Sequence, residues 1–337
     1  MDGGAVVLPL AATLESTTGP RVILSPPPAA PTPPPWRAGV ATASLEPMGL
    51  RNHLRMSLDE LAGHASNQAD RALPEQLNRL IINDQLDLPP FPDVARELDE
   101  LLKRTTTDIL QIARVVERDP GLVRRVWTHA RSAAYSAAPR SLHHAVARVG
   151  LDALWRIGMS VCLNEATFKL EGMQDLADLV RQRGIVAAEV AALLGGERRG
   201  ALYLAGLLHG SGELIVLRTA ASLPSPRPSP LMVQRVIERT RAPLGVLIAT
   251  SWNLGPTAAA GIGFVPDPEA APPPDRATAR IIRASSIAAT ATQPGAEAQP
   301  WAQEAAADIR ELGLDADAAL RRAAEVWRSF AEEQAPL

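Results

Sequence analysis

His209 and Glu213 are the two side chains whose types and spacing come nearest to a chemical site in this sequence. A neutral imidazole and a carboxylate both bind divalent metal ions, and residues four apart share one face of a continuous helix. A catalytic metal centre needs three or more ligands, however, and the residue that follows His209 is Gly210, which has no ligand atom. We therefore expect neither a metal ion nor another cofactor here.

The other reactive residue types do not form a second catalytic pattern. His143 and His144 are adjacent, so on a helix they point about 100° apart and do not easily face one ion. Cys162 is the only cysteine, which excludes an internal disulfide framework and a cysteine-cluster zinc site. The sequence contains no GxSxG elbow, Walker-type phosphate loop or HExxH motif. Each of these motif-defined enzyme classes is therefore disfavoured.

Arginines are concentrated in one part of the chain. The local net charge there is about +4, since only Glu117 and Asp119 oppose them. Arg124, Arg125 and Arg131 could form a surface for an anion or a protein partner, and the alternative is a solvated helix face. Nucleic acid is not expected, because the whole chain has a net charge of −3. The six arginines are Arg114, Arg118, Arg124, Arg125, Arg131 and Arg140.

Composition and periodicity predict an all-α fold. Alanine and leucine are abundant, aromatic residues make up only 4% of the chain, and no convincing run of alternating strand pattern occurs. Ser57 is expected to cap the first helix and Pro74 to begin the next, with Asp119-Pro120 and Ser141 opening later ones. The region 253–276 is expected to be irregular. The longest helices are predicted over 152–170, 173–194 and 199–217.

The N-terminal segment differs from the rest of the chain. Residues 1–50 are rich in proline and alanine and are predicted to be disordered, with a docking site for a proline-recognising partner as the alternative. The segment has no basic region of the kind that begins a signal peptide, and no run of about 18 apolar residues follows. We therefore expect a cytoplasmic protein and no membrane association.

Four short patterns in a fixed order resemble the HDOD domain family, a degenerate signalling branch of the HD phosphohydrolase superfamily. The resemblance implies an all-α, two-lobed HDOD-like helical bundle. Under it we assign a disordered tail to 1–50, a helical extension to 51–86 and the HDOD-like domain to 87–290, with its first lobe ending near 170. A C-terminal helix is expected over 297–337. The four patterns lie at 88–92, 119–133, 141–154 and 204–209.

The same resemblance implies a degenerate site rather than an enzyme. Active relatives have a metal-binding aspartate after the histidine, where this chain has Gly210. Further metal ligands of those relatives would correspond to positions near Gln182 and Arg241 in this chain. Together with His209 and Glu213 these residues would line a vestigial pocket. The resemblance favours a non-catalytic signal-transduction module that acts through protein–protein interaction with a regulatory protein. The alternatives are a nucleotide or cyclic-dinucleotide receptor using the same cavity, and a metal-dependent phosphohydrolase.

Overall fold

The computed structural model describes residues 47–86, 88, 91–102, 108–131, 139–160, 174–294 and 299–334. Throughout these ranges the regular structure is helical and no strand occurs, which confirms the predicted all-α class. Most of the predicted disordered tail, Cys162 and parts of the first and second family-like patterns lie outside the described residues. The chain divides into two compact units. We call Pro89–Phe168 with Ala331–Leu337 the small unit, and Met1–Leu88 with Lys169–Phe330 the large unit.

The small unit is a cluster of short helices around a leucine-rich core. Leu98, Leu122 and Leu154 are almost completely buried at its centre. The predicted caps form: the Asp119 carboxylate accepts a hydrogen bond from the Leu122 amide at 3.0 Å, and the Ser141 hydroxyl accepts one from the His144 amide at 3.2 Å. The helices are α3 (Asp93–Leu102), α4 (Ile109–Glu117), α5 (Pro120–Ala130), α6 (Leu142–Val149) and α7 (Leu151–Ser160).

The large unit contains the longer helices and the candidate pocket. Helix α8 packs on α9 and α13, α10 packs on α11, and the α1–α2 hairpin contacts α11. The α8–α9 contact is close, since a Cβ at Gly206 would lie 2.8 Å from the backbone of Ala188. The helices are α1 (Pro47–Gly63), α2 (Gln68–Ile82), α8 (Gln174–Leu194), α9 (Arg199–Leu208), α10 (Ser211–Ser222), α11 (Pro230–Ser251), α12 (Pro256–Gly263), α13 (Pro273–Ala291), α14 (Gln299–Glu311) and α15 (Ala316–Gln334).

Two predicted helix starts near the N-terminus are wrong. Ser57 is a buried residue inside α1, because Leu50, Leu54 and Leu58 repeat every four residues and extend the apolar stripe back to Pro47. Pro74 lies inside α2, whose cap is Asn67, with its side-chain oxygen accepting from the Asp70 amide at 2.8 Å. Packing of the apolar stripe therefore overrides the local start signals.

The later part of the chain also differs in detail from the prediction. Helix α12 occupies part of the region expected to be irregular. Helix α11 continues through Pro243, although a proline inside a helix removes one backbone hydrogen-bond donor. The predicted C-terminal helix is two helices, separated at Gly313, whose φ of +71° is the left-handed conformation that glycine favours.

One stretch of the described chain, Gly196–Ser222, has the length and apolarity of a membrane-crossing helix. In the structure 83% of its most apolar window is buried inside the fold, as in a core helix. The stretch contains α9 and α10, and it positions the residues described next.

Candidate functional site

His209 and Gly210 lie at a break between two helices. The helix predicted over 199–217 is in fact two, since α9 ends at Leu208 and α10 begins at Ser211. Side chains satisfy carbonyl groups at the end of α9: the His209 Nδ1 lies 2.6 Å from the Gly206 oxygen, and the Ser211 hydroxyl donates to the Leu208 oxygen at 2.7 Å. We assign the imidazole proton to Nδ1, because the carbonyl can only accept. The histidine therefore has a local structural bond at the helix break.

Close backbone packing holds α10 against α11 beside this break. A Cβ at Gly212 would lie 2.1 Å from the carbonyl oxygen of Arg241, well inside any real contact distance. A Cβ at Gly245 would lie 2.8 Å from the Ile262 side chain and 3.4 Å from the Leu208 oxygen. Glycine at both positions lets α11 approach the α9–α10 junction, which fixes Arg241 next to α10.

The charged side chains around His209 form a buried cluster. Arg241 and Glu213 make an ion pair at 3.3 Å, with 13% and 7% of their side-chain surfaces exposed. Arg183 from α8 is also buried, and its Nε and Nη2 donate to the Gln293 side-chain oxygen at 2.9 and 2.8 Å. Burial lowers the pKa of Arg183, and among its charged neighbours Glu213 opposes this shift while Arg241 adds to it. We call Arg183, His209, Glu213 and Arg241 the buried charge cluster.

His209 is neutral in this environment near pH 7. Burial is the main cause that lowers its pKa, and the positive charges of Arg241 and Arg183 lower it further. The bond to Gly206 and the carboxylate of Glu213 act in the opposite direction. Two guanidinium groups and one carboxylate therefore act electrostatically on the imidazole. Among the residues that the structure describes, no group of three histidine, cysteine, aspartate or glutamate side chains could hold a metal ion.

The structure brings three of the four predicted pocket residues into one cluster. His209, Glu213 and Arg241 act on one another electrostatically, whereas Gln182 is a half-buried residue of α8. Its neighbour Arg183, which the sequence analysis did not select, is the α8 side chain in the cluster. Successive helical residues point about 100° apart, so an offset of one position changes the face. The apolar stripe of α8 could have identified Arg183, since the buried residues Val180, Arg183, Val186, Ala187 and Val190 follow helical spacing.

The arginines predicted to form a surface on the small unit fall into two groups: some are exposed to solvent, and others bond to residues of the same unit. Arg124 and Arg131 are exposed and seven residues apart, so they lie on nearly the same side of α5 and its cap. Arg125 is half-buried and donates to the Ser160 hydroxyl, which ties α5 to α7. Arg118 forms an ion pair with Glu97. The exposed pair Arg124 and Arg131 is therefore the part of this surface that is accessible to a partner.

Comparison with known proteins places these features in a wider context. The family model described as HDOD domain matches residues 88–268, more than half of the chain. The search of curated proteins found no match.

Several solved structures match the fold. One is a Shewanella amazonensis SB2B protein provisionally named a metal-dependent phosphohydrolase, with 22% identity, coverage of 78% of this chain and 100% of that chain, and a TM-score of 0.58. Another, from Marinobacter aquaeolei VT8, is provisionally named a signal transduction protein, with 24% identity, 87% and 68% coverage and a TM-score of 0.52. An HDOD domain protein with unknown function from Geobacter sulfurreducens has 18% identity, 77% and 93% coverage and a TM-score of 0.51. At these identities the likeness shows the fold alone.

Proposed function

The chain belongs to the HDOD domain family, and from this premise we propose that it is a non-catalytic regulatory module that acts on a protein partner. The observation that carries the proposal is the buried charge cluster. In it the carboxylate of Glu213 is paired with Arg241 and lies close enough to Arg183 to affect its pKa. A carboxylate engaged by guanidinium groups is a poor metal ligand, because a divalent ion would have to displace those cations.

The position after His209 also supports a site without metal chemistry. A Cβ at Gly210 would lie 3.3 Å from the Val180 side chain, a tight contact in which the valine would have to give way. An aspartate there would extend further than this Cβ. The local packing therefore suits glycine, and a ligand carboxylate at position 210 would need Val180 to move.

The exposed arginines supply the surface that we assign to the protein partner. Arg124 and Arg131 form no ion pair with a described residue, so their guanidinium groups are available for acidic side chains of another protein. Arginine binds carboxylates with two parallel hydrogen bonds, which gives such a contact its geometry. A cytoplasmic site of action belongs to the same proposal, and cell fractionation checks it.

Metal analysis and a phosphatase assay test the non-catalytic part. The purified chain, incubated with Mn²⁺, Mg²⁺ or Fe²⁺ and then dialysed, should retain no stoichiometric metal and should not hydrolyse phosphomonoesters, phosphodiesters or nucleotides. His209→Ala serves as the comparison variant. Stoichiometric metal in the wild type, with turnover that His209→Ala abolishes, would establish the phosphohydrolase and overturn the proposal.

Quantitative pull-down from cells of the source organism tests the partner part. The wild-type chain should retain a specific protein, and the double variant Arg124→Glu, Arg131→Glu should lose it. Arg140→Glu is the matched control, since Arg140 is exposed in the same unit but outside α5. A partner that binds wild type and the double variant equally, or the absence of any specific partner, contradicts this part.

A nucleotide or cyclic-dinucleotide receptor is the second candidate, and Arg183 is the observation that favours it. Its described hydrogen bonds go to a neutral amide oxygen rather than to a carboxylate, so a phosphate oxygen would be a stronger partner for the buried guanidinium. Thermal shifts with a panel of nucleotides and cyclic dinucleotides test it. A saturable rise in the unfolding midpoint that Arg183→Gln removes supports the receptor, and a flat response across the panel rejects it.

A further inference from the structure

A groove between α3 and α4 of the small unit has the size of a ligand pocket. Its volume is about 350 Å³, within the range of sites that hold small molecules. The buried residues Leu101 and Val115, which are 6% and 3% exposed, contribute apolar surface to it. The groove lies outside the buried charge cluster and belongs entirely to the small unit.

The charges that line the groove are paired at one end and unpaired one helical turn away. Glu97 of α3 and Arg118 of α4 form an ion pair across it. Glu100 lies three residues after Glu97, and Arg114 lies four residues before Arg118, so each is one turn further along its own helix. Glu100 and Arg114 are exposed, and neither forms an ion pair with a described residue. The groove therefore presents a free carboxylate, a free guanidinium and an apolar surface together.

We infer that this groove binds an α-amino acid with an apolar side chain. The ligand carboxylate would bind the guanidinium of Arg114 through two hydrogen bonds, and the ligand ammonium would donate to Glu100. The side chain would then lie against Leu101 and Val115, so that its own apolar surface leaves water. A ligand with only one charge makes one of these two charge-assisted contacts, whereas a zwitterion makes both.

Calorimetric titration of the full chain with leucine tests the inference. Isocaproate lacks the ammonium group of leucine, and isoamylamine lacks its carboxylate. Each compound therefore removes one charged group and keeps nearly the same hydrocarbon chain. Leucine should bind with a saturable isotherm and more tightly than either analogue. Glycine, which lacks the apolar side chain, should also bind more weakly than leucine.

Matched variants locate the site. Glu100→Gln and Arg114→Gln should each weaken leucine binding about tenfold, the effect of losing one charge-assisted hydrogen bond. Glu117→Gln and Arg140→Gln remove an exposed charge of the same sign outside the groove, and they should leave the affinity unchanged. Circular dichroism verifies that all four variants are folded.

Three results would overturn the inference. These are no saturable leucine binding, binding of isocaproate or isoamylamine as tight as that of leucine, and affinity that the two groove variants leave intact. A dipeptide that binds tighter than leucine through the same two residues would also reject the free amino acid as the ligand. None of these results bears on the regulatory proposal, which depends on residues outside the groove.

Discussion

Two glycines, one in each unit, show how differently the two parts of the molecule are packed. A Cβ at Gly212 in the large unit would lie 2.1 Å from the carbonyl oxygen of Arg241. A Cβ at Gly158 in the small unit would lie 2.2 Å from a terminal carbon of Leu98. The distances are nearly equal, but one neighbour is the backbone of a long helix and the other is the end of a flexible side chain. The large unit is therefore rigid at its charge cluster, and the small unit can adapt.

The charges of the two units differ in the same way. The Glu213–Arg241 pair of the large unit has side chains that are 7% and 13% exposed. The Glu97–Arg118 pair of the small unit has side chains that are 48% and 51% exposed. Water screens the exposed pair and stabilises either member alone, whereas a buried charge depends on its protein partner. The comparison indicates that the large unit has fixed internal electrostatics, and that the small unit offers its charges to other molecules.

Removing the charge of Glu213 should give the largest effect. Glu213→Gln leaves Arg241 and Arg183 buried without their shared carboxylate, which should cost about 3–5 kcal/mol of unfolding free energy. The matched change Glu97→Gln in the small unit should cost less than about 1 kcal/mol. Urea denaturation measures both values. Equal losses for the two variants would remove the contrast between the units.

The glycine pair gives the next largest effect. Gly212→Ala should destabilise the protein by about 3 kcal/mol, because α10 and α11 must separate to admit the methyl group. Gly158→Ala should cost less than about 1 kcal/mol, since Leu98 can change rotamer and alanine favours the helix. Thermal unfolding of the two variants tests this order. A costlier Gly158→Ala would show that the small unit is the more rigid one.

The protonation of His209 should make stability depend on pH. Its native pKa lies below the unfolded value of 6.5, so below pH 6.5 the unfolded chain binds more protons than the native one. Stability is therefore fully present above pH 6.5 and falls as the pH drops below it, by at most about 1.4 kcal/mol per pH unit for this group. His53, whose pKa burial also lowers, contributes in the same direction.

Variants separate the two histidine contributions. His209→Gln and His53→Gln should each reduce the slope of unfolding free energy against pH between 5 and 6.5. Each reduction is at most the slope that corresponds to about one bound proton. Denaturation curves at several pH values give these slopes. A wild-type slope retained in His209→Gln would mean that the imidazole titrates alike in the native and unfolded states.

The features that the sequence predicted well are those set by local chemistry. The Asp119 and Ser141 caps are short-range patterns that form as expected. The all-α class follows from composition and periodicity. Glu213 was selected by its spacing from His209 and Arg241 by the family resemblance, and both lie close enough to His209 to affect its pKa.

The features that the sequence did not predict depend on contacts between distant segments. The break at His209 lies in an apolar stretch with no proline, and it is stabilised by bonds from His209 and Ser211 back to α9. Arg183 enters the cluster from α8, 26 positions before His209 and 110 before its partner Gln293. Residue type does not separate it from Gln182, because both are polar residues next to each other on one helix, and only the spacing of the apolar stripe of α8 favours Arg183. Tertiary packing decides which of the two is buried.

The smallest effect on stability is expected for Arg124 and Arg131, and this makes them useful probes of function. Both are exposed without an ion pair to a described residue, so the double change to glutamate should alter the unfolding free energy by less than about 0.5 kcal/mol per site. Urea denaturation checks this value, and Arg125→Met, which removes the bond to Ser160, should cost more. If the double variant is stable, a loss of partner binding reports the surface itself. A large loss of stability would instead show that these arginines stabilise the fold of the small unit. The distinction between a rigid interior in the large unit and a surface available to partners in the small unit would then be wrong.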